Sequence, residues 1–482
     1  GRLSDIFGRQ STLLFATITF FIGSAACGAA PGIWSLVVAR AVAGIGGGGL
    51  NTMCTVVMSD LVSLRQRGKF QGLGNLAFAS ASLIGAPLGG YITDNFSWRY
   101  CFYINLPLLL VCFLITTTQI TNYNLQMDFT DTYPLFNKLK RIDYFGSGSL
   151  VLGVTGLLLG TAWGGNTMPW TSPIVVACIV DGVVMLFVFG FVEARVAKEP
   201  ILPWHVFWAR TPLAVSMTNL FSSMNSYAMI FFVPLYFQAV YGSSASQAGL
   251  NLVPKVIGAA IGSLSAGLLM ARRGTYQFLT WFVFLLIIAG SFGLKDWALE
   301  RGPTWQYAAP LFFVGYGFGS GLTTTLVALL ASVDVEDIAV AASMSYLFRA
   351  TGGVMGVSIC SAVFQALLKS ELIANIHGPD ADLVGFTFTS SFYSFKLGIS
   401  DFMHGTLITP SLSFPKIIDT ARKSVDAIRT LPAEYKDIVI AAYFHGIQCT
   451  FSVVIVFAVL AFVSSLFIQK VKLSNRVPVD RS

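Results

Sequence analysis

Charge is scarce in this sequence. Asp, Glu, Lys and Arg make up 11% of its 482 residues, against roughly 25% in soluble proteins, and that shortage excludes an ordinary water-soluble fold. Histidine is scarcer still, with four residues scattered along the chain, which argues against the clustered imidazoles of a metal centre. The cysteines, at positions 27, 54, 101, 112, 178, 360 and 449, lie in or beside apolar stretches with no C-x-x-C pair, and are read as small core hydrophobes. The phosphate-binding pattern G-x-x-x-x-G-K-S/T is absent, so ATP is not expected to drive this chain. No Ser/His/Asp set and no paired histidines fall at one depth of the apolar segments, so enzymatic chemistry and a cofactor are not expected either.

What the chain has instead is apolar length. Hydrophobic residues form 55% of it, gathered into runs that reach the roughly 20 residues a helix needs to cross a hydrocarbon core. These runs predict twelve spans, at about 11–30, 34–58, 70–92, 100–120, 145–164, 172–194, 212–240, 247–271, 276–295, 304–331, 338–367 and 445–469. They do not alternate polar and apolar residues at every second position, as the strands of a membrane barrel do. The expected fold class is therefore all-α, a polytopic membrane protein whose first partner is the lipid bilayer.

The distribution of Lys and Arg orients the spans. Arg9, Arg65, Arg67, Lys69, Arg141, Arg272 and Arg273 fall in connections on one side, whereas the short connections on the other hold only Arg99, Lys295 and Arg301. By the positive-inside rule the first side is cytoplasmic. The net charge of +7 is thus a matter of topology, and nucleic acid is not expected as a partner. Gly1 is not an initiator methionine and the first residues read as a loop between two spans, so a preceding segment is expected.

Most connections are short, except for about 121–144, 195–211 and 368–444, the last with a helical-looking stretch around Asp419–Leu431. Three ordered echoes point to a duplicated half. Gly1–Arg9 is echoed by Gly267–Gly274, Gly44–Leu50 by Gly315–Leu322, and Gly85–Gly89 by Gly352–Gly356.

Three short segments carry the functional argument. Gly1, Arg2, Asp5, Gly8 and Arg9 lie within ten residues; the glycines permit a tight turn between helix ends, and the charges can pair with one another or with helix termini to latch a gate. Arg40 stands inside a span, where a charge is expensive and marks a partner or a pathway unless it snorkels. The glycines that follow it spell G-x-G-x-x-G, but no strand precedes them, so close helix packing explains them better than a dinucleotide site. Gly85, Pro87, Gly89 and Gly90 predict a bendable, tightly packed helix at an interface on which two halves rock.

The first ten residues resemble the signature that the major facilitator superfamily carries between its second and third spans. The stretch from Arg40 resembles that family's fourth-span motif, whose membrane arginine is implicated in proton transfer, and Gly85–Gly90 resembles the fifth-span signature of its antiporters. Trp98–Pro107 and Arg141–Gly146 resemble the fourteen-span drug and amino-acid antiporter branch. Ser59–Asn75 and Leu347–Ser358 are similar to the fungal vacuolar basic amino-acid transporters within it. The resemblance covers nearly the whole chain. It implies that the visible helices are spans three to fourteen of fourteen. On that reading 1–120 is the first half-bundle, 121–211 holds two linker spans, 212–469 is the second half-bundle with its loop 368–444, and 470–482 is a cytoplasmic tail.

The resemblance also implies function: proton-coupled movement of small molecules by alternating access, with basic amino acids carried into the vacuole. Export of drugs or toxins at the plasma membrane is the alternative. A third reading, a non-transporting receptor of the same fold, is disfavoured by the retention of Asp5, Arg9 and Arg40. Substrate and protons are the implied partners, and nucleotide is not. Inside the spans the charges are Arg40, Asp181, Lys255 and Arg349. The one carboxylate falls in a linker span, a departure from what a cationic substrate asks for, whereas Lys255 or Arg349 suits an α-carboxylate. The residues expected around the substrate are Asn75, Asn219, Asn225, Tyr227, Gln238 and Tyr346, with Lys255 and Arg349.

Overall fold

Inside lipid a chain must satisfy its own backbone polar groups, and helices do so within one segment. The computed structural model describes residues 2–121, 143–165, 168–196, 202, 204–334, 337–375 and 433–471. Among these there is no strand, only an isolated bridge between Gly164 and Met168. The helices are α1 (Arg2–Phe7), α2 (Arg9–Ala29), α3 (Ile33–Leu61), α4 (Leu64–Asn95), α5 (Tyr100–Tyr103), α6 (Asn105–Gln119), α7 (Tyr144–Trp163) and α8 (Pro173–Arg195). They continue as α9 (Trp204–Phe207), α10 (Arg210–Tyr241), α11 (Ala245–Leu250), α12 (Val253–Arg273), α13 (Gln277–Gly293), α14 (Thr304–Ala331), α15 (Ile338–Asn375) and α16 (Ala433–Leu466).

Ten segments, with α5 joined to α6 and α11 to α12, are long and apolar enough to cross a membrane. The other two expected spans also fall on helices: α13, which is only 17 residues long, and α4, whose early turns carry Arg65, Arg67 and Lys69. The last two spans depart from expectation. The helix expected at 338–367 runs on to Asn375, and the one expected at 445 begins at Ala433, so both flanks of the 368–444 loop are helical. Leu368 and Leu372 are fully buried on α15, as are Val439, Ala442 and Tyr443 on α16. Apolar positions at helical spacing therefore continue after overall hydropathy has fallen, and packing extends the helices past the apolar core. The stretch Asp419–Leu431 lies outside the described residues.

Small residues decide how closely the helices approach. A methyl placed on Gly315 would lie 2.0 Å from the carbonyl oxygen of Lys255, and one on Gly319 would lie 2.0 Å from that of Ala259. The backbones of α12 and α14 are thus in contact, with dispersion and not hydrophobic transfer holding them, because lipid competes equally for apolar surface. Helix α14 is central, with 78% of its most apolar stretch buried, whereas the corresponding value for α8 is 11%. The pair α7 and α8 packs chiefly on itself and touches the rest through α15.

The neighbour order repeats. In the first part of the chain α2 packs against α3 and α6; in the second, α13 packs against α14 and α16. Helix α4 leaves its own group and lies against α12 and α14 of the other.

Candidate functional site

The first turn of chain reversal is made by Gly8, whose φ of 90° and ψ of 163° fall where L side chains are essentially not found. The reversal sets α1 back over the start of α2, which brings Asp5 to Arg9. Arg9 is 3% exposed. Its Nη1 donates to Asp5 Oδ1 at 2.7 Å and to Ser4 Oγ at 2.6 Å, and its Nε donates to Asp60 Oδ2 at 2.9 Å. Asp60 is itself buried, in the last turn of α3. A second cation closes the same helix end: Arg67 Nη2 donates to the Ser59 carbonyl at 2.6 Å and Nε to the Val62 carbonyl at 3.3 Å. A cation suits the carbonyl end of a helix, where the backbone oxygens lack partners. Breaking a buried, hydrogen-bonded pair of this kind costs about 3–5 kcal/mol because the remaining charge is stranded.

Beside this charged cluster the two halves touch. A methyl on Gly267 of α12 would sit 2.2 Å from the Gly68 carbonyl oxygen of α4, and one on Gly72 would sit 2.9 Å from the Ser263 carbonyl oxygen. One turn further, Asn75 Nδ2 donates to Ser263 Oγ at 2.8 Å and to Thr323 Oγ1 at 3.3 Å. On the other side of the bundle Thr55 of α3 shares a 2.8 Å hydrogen bond with Tyr346 of α15, next to the apolar cluster of Val56, Ala339 and Ala342. Each of these contacts falls in the part of its helix nearest residues 1–10. The described seam therefore closes one end of the bundle, the end carrying the first ten residues. Toward the other end of α4, a methyl on Gly85 or Gly89 would meet nothing within 4 Å among the described residues outside its own helix backbone.

The residues singled out in the sequence separate into three groups. Asp5, Gly8 and Arg9 stand together in the cluster; the side chain of Arg2 is not described. Asn75 and Tyr346 bond across the seam, with Arg349 stacked over the Tyr346 ring at 4.3 Å; Gly353, one turn on from Arg349, faces Tyr227. Asn219, Asn225 and Lys255 are buried inside the second half. Asn219 donates to Ser345 at 3.0 Å and accepts from Thr325 at 2.9 Å, and Asn225 donates to Ser291 at 3.2 Å and the Val454 carbonyl at 2.9 Å. Lys255 donates to the Ser226 carbonyl at 2.7 Å and hydroxyl at 2.9 Å.

Among the described residues the close packing of α4 lies at Gly68 and Gly72, where α12 offers Ser263 and Gly267, and the helical backbone runs unbroken through position 87. Arg40 is exposed on α3, its guanidinium 5.9 Å from the Phe102 ring. Among the described residues no three His, Cys, Asp or Glu side chains gather closely enough to hold a metal ion. Ser4, Asp60, Ser263 and Thr323 were not singled out as site residues. The signal for Asp60 was a carboxylate ending a span, and for Ser263 and Gly267 a small residue every fourth position.

A bundle of membrane helices with a repeated neighbour order, meeting across a seam that closes one end, defines a membrane transporter. The chain belongs to the Major Facilitator Superfamily, whose family model matches residues 1–122 and 130–357. It is 35% identical to the multidrug resistance protein fnx1 of Schizosaccharomyces pombe, over 100% of this chain and 84% of that one. It is 33% identical to the vacuolar membrane amino acid uptake transporter fnx2 of the same yeast, over 97% and 74% of the two chains. Vacuolar basic amino acid transporter 2 of Saccharomyces cerevisiae is 34% identical over 78% of this chain and 80% of its own. Among solved structures the human organic anion transporter MFSD10 matches with a TM-score of 0.50 at 13% identity, over 75% of this chain and 73% of its own, a likeness of fold.

Proposed function

We propose that this integral membrane protein is a proton-coupled secondary transporter that carries basic amino acids into the vacuole by alternating access. On this reading residues 1–10 face the cytoplasm, and the conformation described is the one closed on that side. The observation that carries the mechanism is the seam: backbone contact at Gly68 and Gly267 and side-chain bonds from Asn75 and Tyr346 all shut one end, the end at which the buried Arg9 cluster braces the first group of helices from within. Rocking the halves apart requires these contacts to break together, and they are few, polar or glycine-mediated, which suits a reversible closure. Arg40, exposed near the opposite end of α3, is the proposed member for proton coupling.

The substrate class rests on the relatives named for amino acid uptake and basic amino acid transport. The test is uptake of labelled lysine, arginine and histidine into vacuolar vesicles from cells expressing the full-length gene, energised with ATP and challenged with a protonophore. Protonophore-sensitive uptake supports both the substrate and the coupling. A second reading, export of drugs or toxins at the plasma membrane, is favoured by the comparable identity to a multidrug resistance protein over the whole chain. Vesicles that contain the protein yet accumulate none of the three amino acids would turn the assignment to that reading.

A further inference from the structure

Two cations stand within the second half, and the structure distinguishes them. Lys255 is 5% exposed and spends its protons on the carbonyl and hydroxyl of a single residue, Ser226. It ties α12 to α10 from within the half. Arg349 is placed differently. It is half-buried, it has no carboxylate partner among the described residues, and its one described contact is the face of Tyr346 at 4.3 Å. A guanidinium within a span and without an anion is costly, and stacking on an aromatic ring returns only a small part of that cost. Its donors remain free for a planar, bidentate acceptor.

Its position fits a ligand. Counting 1.5 Å per residue, Arg349 lies about 16 Å along α15 from Ile338, near the middle of a hydrocarbon core roughly 30 Å thick. On the same face of α15, Tyr346 reaches across to Thr55 of the first half at 2.8 Å. One turn further on, Gly353 faces Tyr227 of α10, and there the surface opens: Tyr227 is 45% exposed, and Ile230 and Phe231 continue an exposed stripe along α10. Gly353 lets α15 pack closely on Tyr227, since even a methyl there would stand 3.1 Å from its ring. Arg349 thus lies on α15 between the Tyr346–Thr55 contact across the seam and the turn that faces the exposed Tyr227.

We propose that Arg349 receives the α-carboxylate of the substrate, with the Tyr346 ring as the platform that holds the guanidinium planar and ready. This inference rests on the amino-acid reading of the transporter and deepens it. It also separates amino acids from the amines that share their side-chain charge. Recognition is then of the backbone carboxylate, and the side chain is read elsewhere. Because Tyr346 also carries the bond to Thr55, the ring that holds the carboxylate receptor is part of the closure between the halves.

The test is competition against labelled lysine uptake in vacuolar vesicles containing the full chain, with arginine, lysinamide and cadaverine as competitors. Lysinamide replaces the carboxylate with an amide, and cadaverine lacks it altogether. A charge-assisted bidentate contact is worth about 1.5–3 kcal/mol, so both analogues are expected to compete at least about tenfold more weakly than arginine. In Arg349→Gln, with the protein present at wild-type level in the vesicles, this preference should collapse toward unity; Arg349→Lys should keep a reduced preference. Equal competition by lysinamide and arginine in the wild-type protein overturns the inference even if no variant folds, while leaving lysine transport standing. Retention of the full carboxylate preference by Arg349→Gln overturns it as well. Absence of lysine uptake by the wild-type protein overturns the functional reading, and this inference with it.

Discussion

At the scale of single residues the first ten residues gather their charge into one buried cluster at the end of α3, beside the seam. Arg9 serves two carboxylates of unequal burial: the Asp60 side chain is 8% exposed and the Asp5 side chain 26%. The charge left behind is Arg9 in either case, but its attraction to the more buried carboxylate is the less screened by water. Asp60→Asn is therefore expected to lower the melting temperature of the detergent-solubilised protein more than Asp5→Asn, with both variants losing uptake. The reverse order would mean that the contact with Asp5 at the start of the chain carries the cluster. Gly8 offers a second check at this scale. Its φ of 90° and ψ of 163° cost an L residue of order 1–3 kcal/mol, so Gly8→Ala should weaken the same closure without touching a charge. An uptake rate equal to wild type would show that the reversal tolerates another backbone path.

At the scale of elements the informative contrast lies within α4. Its first part is in backbone contact with α12 through Gly68, Gly72 and Gly267, whereas a methyl on the later Gly85 or Gly89 would meet none of the described residues within 4 Å. Gly267→Val should force α4 and α12 apart. Spin labels on the exposed Lys69 and Arg272, in a background without native cysteines, should report a longer distance in that variant. Gly85→Ala and Gly89→Ala should leave the distance unchanged and raise helix stability by up to about 1 kcal/mol each. A lengthened distance in the latter pair, with none in Gly267→Val, would place the working interface where the proline-and-glycine pattern first suggested. Tyr346→Phe keeps the ring beneath Arg349 and removes only the bond to Thr55. It should loosen the seam yet preserve the preference for carboxylate-bearing competitors.

At the scale of the whole molecule the question is which ligand the bundle closes on. A ligand that binds only the folded state stabilises it by about 2.7 kcal/mol at one hundred times its dissociation constant. Lysine and arginine at millimolar concentrations are expected to raise the melting temperature of the purified protein, and cadaverine is not. A rise with hydrophobic cations and none with amino acids would favour the exporter. The internal hydrogen bonds of Asn219 and Asn225 bear on the same scale in another way. They hold α10 to α14, α15 and α16 within one half, which lets that half move as a body against the other.

The sequence by itself determined the class of fold, because hydrophobic length is a local property: a run of apolar residues either spans the bilayer as helix or does not. It also marked the first ten residues as a charged turn between helices, since the glycines and charges that make the turn are neighbours in the chain. Tertiary structure alone decided the partners. Asp60 comes to Arg9 from fifty-one residues away, and Gly267 meets Gly68 from the opposite half. No local pattern specifies which of many small residues will face one another. Burial likewise separated Lys255, Asn219 and Asn225 from Arg349 and Tyr346, residues that were equivalent as polar positions in apolar spans. The difference lies in which face of each helix its neighbours cover, and that is set by how the helices cross.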